Sequence, residues 1–523
     1  MINDKKIRNR VEMIPQGRQP GNQKGSGNMA HKKPHIIIFN PDQWRGDILG
    51  HLGNPAAVTP NLDRLVETDG VSFRNAFVQN PICTPSRCSF MSGWYPHVHG
   101  HRTLSHMMRT DEPVLLRDLK NTGYFVWWGG KNDLINPENG YGHYCDVKYR
   151  PQSSSGRPLW PNLHSWDEWR GSPQGDNYYS FYYGKIDVPK GEPYIYDGDW
   201  ALIEGAIEFI RNAPPDQPLC IYLALGYPHP PFAVEDPWYS QIDRELIPPR
   251  IPTPTSWDTH PSMMKAIYDQ QGLKNWSEER FSEMIATYYG MCARVDAQFG
   301  MLVKAIQDVG MYDDAAIFTF SDHGEFAGNY GLVEKTQNTF QDCLTRVPFI
   351  VKPPAGTPIV PGVRDALVEL IDMRATVEAL TGLEPGYTHF GRSLLPVIAD
   401  LHLPHRDAVF CEGGRLKEES HCMERESIPE DGPSSLYWPR LVTQASEGPE
   451  HTKAVMCRTE THKYVVRLYE KDELYDLLAD PQELHNRIDD PAYAGILARM
   501  KERLLRFFLE TGDVVPFRID KRE

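Results

Sequence analysis

No stretch of this chain approaches the roughly 20 consecutive apolar residues that a helix needs to cross a bilayer, so the sequence offers no membrane partner. Its nine cysteines, at 83, 88, 145, 220, 292, 343, 411, 422 and 457, never form a CxxC pair. That spacing excludes the usual frameworks of structural zinc and of small disulfide-rich domains. Cations are in short supply: 55 Lys and Arg stand against 70 Asp and Glu, a net charge of -15. A nucleic-acid partner, which demands a basic face, is therefore excluded. A small anionic substrate is not, because it needs only a local cluster of cations. No internal repeat is present. The segment 1–34 is basic and polar and lacks the apolar core of a secretory signal. It is expected to be a disordered arm, with Met29 a candidate start and the cytoplasm the expected compartment.

What the chain does contain is a series of short apolar runs that lead directly into polar, glycine-rich or proline-rich turns. HIIIF (35–39) enters NPDQWRGD, YFVWW (124–128) enters GGKNDL, LCIYLAL (219–225) enters GYPHPPF and AIFTF (316–320) enters SDHGEFAG. Helical patterns lie between them at 59–68, where Thr59 can cap and Pro60 suits the first turn, and at 199–212, 278–308 and 370–381. This alternation predicts an α/β domain over 35–402 whose large, mainly parallel sheet is covered by helices on both faces. Beyond it AVFCEGG, AVMCRTETHKYVVRLY and ELYDL read as antiparallel strands followed by a helix near 492–510, a smaller α+β subdomain over 403–523. The irregular, aromatic-rich stretches 145–195 and 226–275 are expected to wall a binding site.

Asp42, Lys131, His229, Asp322 and His323 each follow a predicted strand by a few residues. Ligands bind at that edge of an open α/β sheet, so these distant residues are expected to converge. Asp322 and His323 with Asp42 could hold one divalent cation; SDHG also reads as a simple turn. Cys83, in QNPICTPSRCSFMSG, remains open on residue chemistry alone among a buried structural cysteine, a thiol nucleophile and something else. A tyrosine-phosphatase-like loop fails, because Arg87 is only four residues past the cysteine and no glycine-rich cradle surrounds it.

The string CTPSR followed by CSFMSGWYPHVHG resembles the CxPSR motif of the type I sulfatases of the alkaline phosphatase superfamily. The likeness extends to NPAAVTPNLDRL (54–65), GYPHPPF, YYGMCARVDAQFG (288–300), SDHGEFAGNYGLVEK (321–335), RVPFIVKPP (346–354) and ELYDLLADPQELHN (473–486). It implies an alkaline phosphatase-like fold and hydrolysis of a sulfate monoester, an aryl or carbohydrate sulfate. It also implies that a maturation enzyme converts Cys83 to formylglycine, whose hydrate attacks sulfur and later expels sulfate from a hemiacetal. Asp42, Gln43, Asp322 and His323, with residue 83, match the family's metal positions, for calcium or alternatively manganese. Arg87, Lys131, Lys335 and His229 match residues that hold the diol, grip the sulfuryl oxygens and serve the leaving group, with His229 the candidate general acid. A helix through SRCSFMSG, ending near Gly93, would aim its N-terminus at the sulfate.

Two departures are notable. Gln43 stands where many sulfatases have Asp, and Asp133 where many have His. Gln43, His323 and the step from Asp322 to Lys335 also resemble the phosphonate monoester hydrolases and phosphodiesterases of the same superfamily, the alternative activity. A homo-oligomer is compatible with the sequence.

Overall fold

The protein is described from a computed structural model, which covers residues 33–151, 159–160, 168–424, 432–446 and 448–522. Of the expected N-terminal arm, residues 1–32 lie outside the described residues, as do residues 152–158 and 161–167 of the stretch 145–195. The central sheet has the strand order β10-β2-β9-β8-β1-β6-β3-β4. Its members are β1 (His35–Asn40), β2 (Val71–Phe77), β3 (Phe125–Gly130), β4 (Val147–Tyr149), β6 (Leu219–Ala224), β8 (Ala315–Phe320), β9 (Phe349–Lys352) and β10 (Gly362–Glu369). Neighbours run parallel except at β9, which is antiparallel to both β2 and β8. The sheet is thus mixed and mainly parallel.

The reason is visible in β1. Every residue of HIIIFN is buried, and alternate side chains enter different cores. Ile37 and Phe39 pack with the long helices Gly198–Arg211 and Glu278–Asp308. Ile36 and Ile38 pack on the other face with Phe90 and Met91 of the helix Cys83–Ser92 and with Met373 and Val377 of the helix Asp372–Thr381. A strand covered on both faces needs apolar side chains in both directions, hence a continuous run.

A short parallel pair, β5 (Tyr182–Ile186) with β7 (Phe232–Glu235), lies beside the main sheet. The second sheet is antiparallel, β11 (Val409–Gly413), β12 (Ala454–Arg458), β13 (His462–Arg467) and β14 (Glu473–Asp476), and the helix Ala494–Thr511 packs on it through Met500, Leu504 and Phe507. The run 454–469, expected to be strand, is an antiparallel pair, β12 and β13, separated by residues 459–461. The stretch 226–275, expected to be irregular, contains β7 and the helix Ser262–Gln271. Thr59 sits at the N-cap position but forms no backbone cap; its hydroxyl donates to Asp63 instead (2.9 Å) and accepts from Gly50 N–H.

Candidate functional site

Because β3, β6, β1 and β8 are adjacent and parallel, their C-terminal ends form one edge. Asp42 and Gln43 follow β1, Lys131 follows β3, His229 follows β6, and Asp322 and His323 follow β8. The helix Cys83–Ser92 begins at this edge, with Gly93 closing it in the left-handed conformation (φ 78°). Its N-cap residue, Ile82, supplies no side-chain acceptor to the first turn, a setting that favours an anion.

Asp42, Cys83, Asp322 and His323 present ligand atoms that all lie within 4.8 Å of one another, and all four residues are buried. The Nδ1–H of His323 donates to the carbonyl of Gly324 (3.0 Å), which fixes the tautomer. The lone pair of Nε2 then faces Cys83 Sγ at 3.2 Å and Asp42 Oδ1 at 3.6 Å. Two carboxylates and an imidazole lone pair suit a divalent cation of hard or borderline character, so the residues present fit the expected metal. Gln43 adopts φ 70°, uncommon for a residue with a Cβ, and its N–H donates to Asp322 Oδ1 (3.2 Å). Its side-chain Oε1 accepts from Lys335 (2.6 Å), while Nε2 donates to Glu334 (2.6 Å) and to Glu325. Gln43 Oε1 as a metal ligand therefore has to be shared with Lys335.

Arg87 is fully buried and donates from Nε to Asp322 (2.9 Å), from Nη2 to Asp42 (3.1 Å) and from Nη1 to the Tyr222 hydroxyl (3.1 Å). Lys131 donates to Asp42 Oδ2 (2.6 Å), pairs with Asp133 (3.0 Å) and reaches Cys83 Sγ at 4.0 Å. Burial alone would raise the Asp42 carboxyl pKa, but the positive charges of Lys131 and Arg87 hold it well below the usual carboxylate range. The Cys83 thiol is pushed up, by burial first and then by the Asp42 charge, against the pull of Lys131 and Lys335. Its contact with His323 is thus not a thiolate–imidazolium pair of the kind that activates a cysteine nucleophile.

The remaining predicted residues form the other half of the site. Lys335 Nζ meets Gln43 Oε1 (2.6 Å), His229 Nε2 (2.9 Å) and Glu334 Oε1 (3.0 Å). His229 Nδ1 lies 2.6 Å from the Pro230 carbonyl, so Nδ1 carries the hydrogen and Nε2 accepts from the Lys335 ammonium. Burial and the Lys335 charge lower the His229 pKa well below its ordinary value. The proton of this pair therefore resides on Lys335. All nine residues singled out in the sequence are linked by these contacts into one cluster.

The loop that carries His229 is held from behind. Asp199, in the first turn of the helix Gly198–Arg211, accepts N–H bonds from Gly226 and Tyr227 (2.8 Å each). Tyr227 in turn accepts the Asp42 N–H at its carbonyl (3.1 Å). Arg294 lies over the Tyr227 ring (4.2 Å) and pairs with Glu235 (3.1 Å) and Asp197.

Sequence reasoning missed Glu325, Glu334, Tyr222 and Arg440. Glu325 and Glu334 stood within the quoted motif SDHGEFAGNYGLVEK, and Tyr222 was the one hydroxyl in LCIYLAL. Arg440 carried no signal: it comes from the helix Trp438–Gln444 and donates from Nη1 to Glu334 (3.0 Å) and to the Lys335 carbonyl (3.1 Å). Burial and the Glu334 charge raise the Glu325 pKa to about 7, whereas Lys335 and Arg440 override burial to hold Glu334 far down.

The chain is similar to known sulfatases and to a phosphonate monoester hydrolase. The sulfatase family model matches residues 34–383. An arylsulfatase of Clostridium perfringens is 24% identical, over 91% of this chain and 94% of its own length. A multifunctional alkaline phosphatase superfamily protein, PehA, of Trinickia caryophylli is 23% identical, over 92% and 96%. The solved phosphonate monoester hydrolase of Silicibacter pomeroyi superposes with a TM-score of 0.70 at 22% identity, over 92% of this chain and 96% of that one.

Proposed function

From the premise that the chain belongs to the sulfatase family and is a hydrolase acting on sulfate esters, we propose that it cleaves a sulfate monoester to alcohol and sulfate, using formylglycine at residue 83. The observation that carries this reading is the place of Cys83: buried at the start of its helix, 3.2 Å from His323 Nε2 and 4.0 Å from Lys131 Nζ, with its thiol unsuited to ionise.

Asp42, Asp322 and His323, with Gln43 and residue 83, would hold a divalent cation, calcium or manganese, which would act as a Lewis acid toward developing oxyanion charge. Arg87 holds the Asp42 and Asp322 carboxylates in place by donating to both. Lys131 is the cation of the cluster that faces solvent, 31% exposed, and is assigned to the sulfuryl oxygens, where fixed positive charge favours the transition state. Once converted and hydrated, residue 83 offers a hydroxyl oxygen to sulfur and gives up that hydroxyl's proton to solvent; the S–O bond to the alcohol breaks as the new one forms, and loss of the proton of the second hydroxyl then breaks the C–O bond to sulfate, leaving the aldehyde for water to rehydrate. The alcohol oxygen takes its proton from the Lys335–His229 pair, in which Lys335 holds the proton and His229 positions it. The finer assignments (calcium, a maturation enzyme acting on Cys83, a cytoplasmic location and an aryl or carbohydrate alcohol) belong to the same proposal.

The test compares kcat/KM for 4-nitrophenyl sulfate with that for a phenyl phosphonate ester. A higher value for the sulfate is expected. A reversed order would favour phosphonate ester hydrolysis, the reading that Gln43 supports.

A further inference from the structure

We propose that Asp133 sets the charge of the ester this site accepts, admitting monoanionic esters such as sulfate monoesters and turning away dianionic ones such as phosphate monoesters. The inference rests on the site proposed above and deepens it.

The exposure of the charged side chains marks the entrance. Asp42, Arg87, Asp322 and His323 are 0% exposed, Lys335 2% and Glu334 5%. Lys131 and Asp133 are 31% and 28% exposed. Of these charged side chains Lys131 and Asp133, one of each sign, lie nearest solvent, so an incoming ester would meet them first. Asp133 also has φ 37°, in the left-handed region that residues other than glycine seldom occupy. A residue held there by its surroundings often marks a functional site. Its carboxylate meets Lys131 Nζ at 3.0 Å, so the ammonium is shared between the buried Asp42 and the entrance Asp133. Burial would raise the Asp133 pKa, but Lys131 and Arg87 outweigh it and hold the group below its ordinary value, hence ionised at neutral pH.

A fixed negative charge beside the ammonium that grips the ester has a selective effect. Lys131 and Arg87 are already matched by Asp42, Asp322 and Asp133. One negative charge on the substrate would be met by the Lys335 side of the site and by the divalent cation that Asp42, Asp322 and His323 would hold. A second negative charge on the same oxygens adds a repulsion with the Asp133 carboxylate that a monoanionic ester feels only once. At an effective dielectric of about 20 and a separation of about 7 Å, one unit of charge changes affinity on the order of 50-fold. A carboxylate that merely anchored Lys131 would act on every substrate alike.

The test uses Asp133→Asn, which keeps the shape and tolerates the left-handed backbone. Three nitrophenyl esters share one leaving group: 4-nitrophenyl sulfate and bis(4-nitrophenyl) phosphate, both monoanions, and 4-nitrophenyl phosphate, a dianion at pH 8. The kcat/KM ratio of dianion to monoanion is expected to rise about 10- to 50-fold in the variant, and to stay unchanged in Asp365→Asn, which removes an exposed carboxylate from β10. Equal losses on all three esters would overturn the inference and leave Asp133 as an anchor. A wild-type enzyme active on the diester but not on the sulfate would overturn the proposed reaction, while the diester-to-monoester ratio would still decide the role of Asp133. If Asp133→Asn does not fold, Asp133→Ser gives the same ratio.

Discussion

Replacing Arg87 by methionine removes the one cation that bridges Asp42 and Asp322 and keeps a similar side-chain volume. Arg87 and both carboxylates are 0% exposed, with Nη2 at 3.1 Å from Asp42 and 2.7 Å from Asp322. Removing one partner of a buried ion pair destabilises by about 3–5 kcal/mol, because the remaining charge is left uncompensated. Here two carboxylates lose their partner, but Lys131 still meets Asp42 at 2.6 Å, so the lower half of that range is expected. A divalent cation bound between the same carboxylates would stabilise wild type too, by roughly 2.7 kcal/mol at about 100 times its dissociation constant, so it would narrow the difference only as far as removal of the Arg87 charge tightens metal binding. Thermal unfolding should therefore show a large Arg87→Met deficit in chelator and a larger rise in melting temperature on adding calcium or manganese for Arg87→Met than for wild type. The pH dependence has a definite sign. The depressed Asp42 pKa contributes stability that is present above its unfolded value and lost as pH falls through the folded one. Without Arg87 that contribution shrinks, so the deficit should be larger at pH 7 than in acid. An Arg87→Met protein as stable as wild type in chelator would refute the idea that Arg87 neutralises a buried pair of metal-binding carboxylates.

Three further outcomes are expected. Lys335→Met should lower kcat for an aryl sulfate by about 100- to 1000-fold, and His229→Gln by less, since the proton resides on Lys335; steady-state kinetics giving the opposite order would contradict that placement. Burial and the Asp197 charge raise the Asp199 pKa from 3.8 to about 6, so the folded state binds the proton more tightly and stability from this group falls as pH rises between those values. Asp199→Asn should flatten that decline in a series of melting curves and lower kcat by loosening the His229 loop; an unchanged pH profile would exclude the effect. Cys88, 1% exposed and packed with Phe90 and Met91, lies outside the reacting cluster, so Cys88→Ala should retain activity and lose about 1 kcal/mol of stability by denaturant titration.

What was legible in the sequence follows from burial. β1, β3, β6 and β8 sit in the middle of the sheet, where both faces are covered, and their apolar runs announce them. β2 and β10 carry half-exposed residues in their middles, and β9 is only four residues long, so neither run length nor alternation marks them. The helix Ser262–Gln271 was hidden because it begins after Pro261, inside a stretch dominated by proline and aromatic residues. In the site, the residues just past central strands could be found from position alone, since parallel strands bring their C-terminal ends together. Cys83, Arg87 and Lys335 were legible only through the family resemblance. Arg440 was not legible in either way: its contact with Glu334 spans 106 residues and depends on how the helix Trp438–Gln444 packs against the Lys335 segment. Asp133 was visible as a departure from the family pattern, but its role depends on its place at the entrance.

The central claim is that residue 83 acts as an aldehyde hydrate and not as a thiol. Mass spectrometry of the tryptic peptide 75–87, from catalytically active protein made in a host with the maturation system, tests it most directly. The account predicts loss of the Cys83 sulfur and gain of one oxygen, in a fraction of molecules that tracks specific activity. Full activity with an unmodified Cys83 thiol would contradict it.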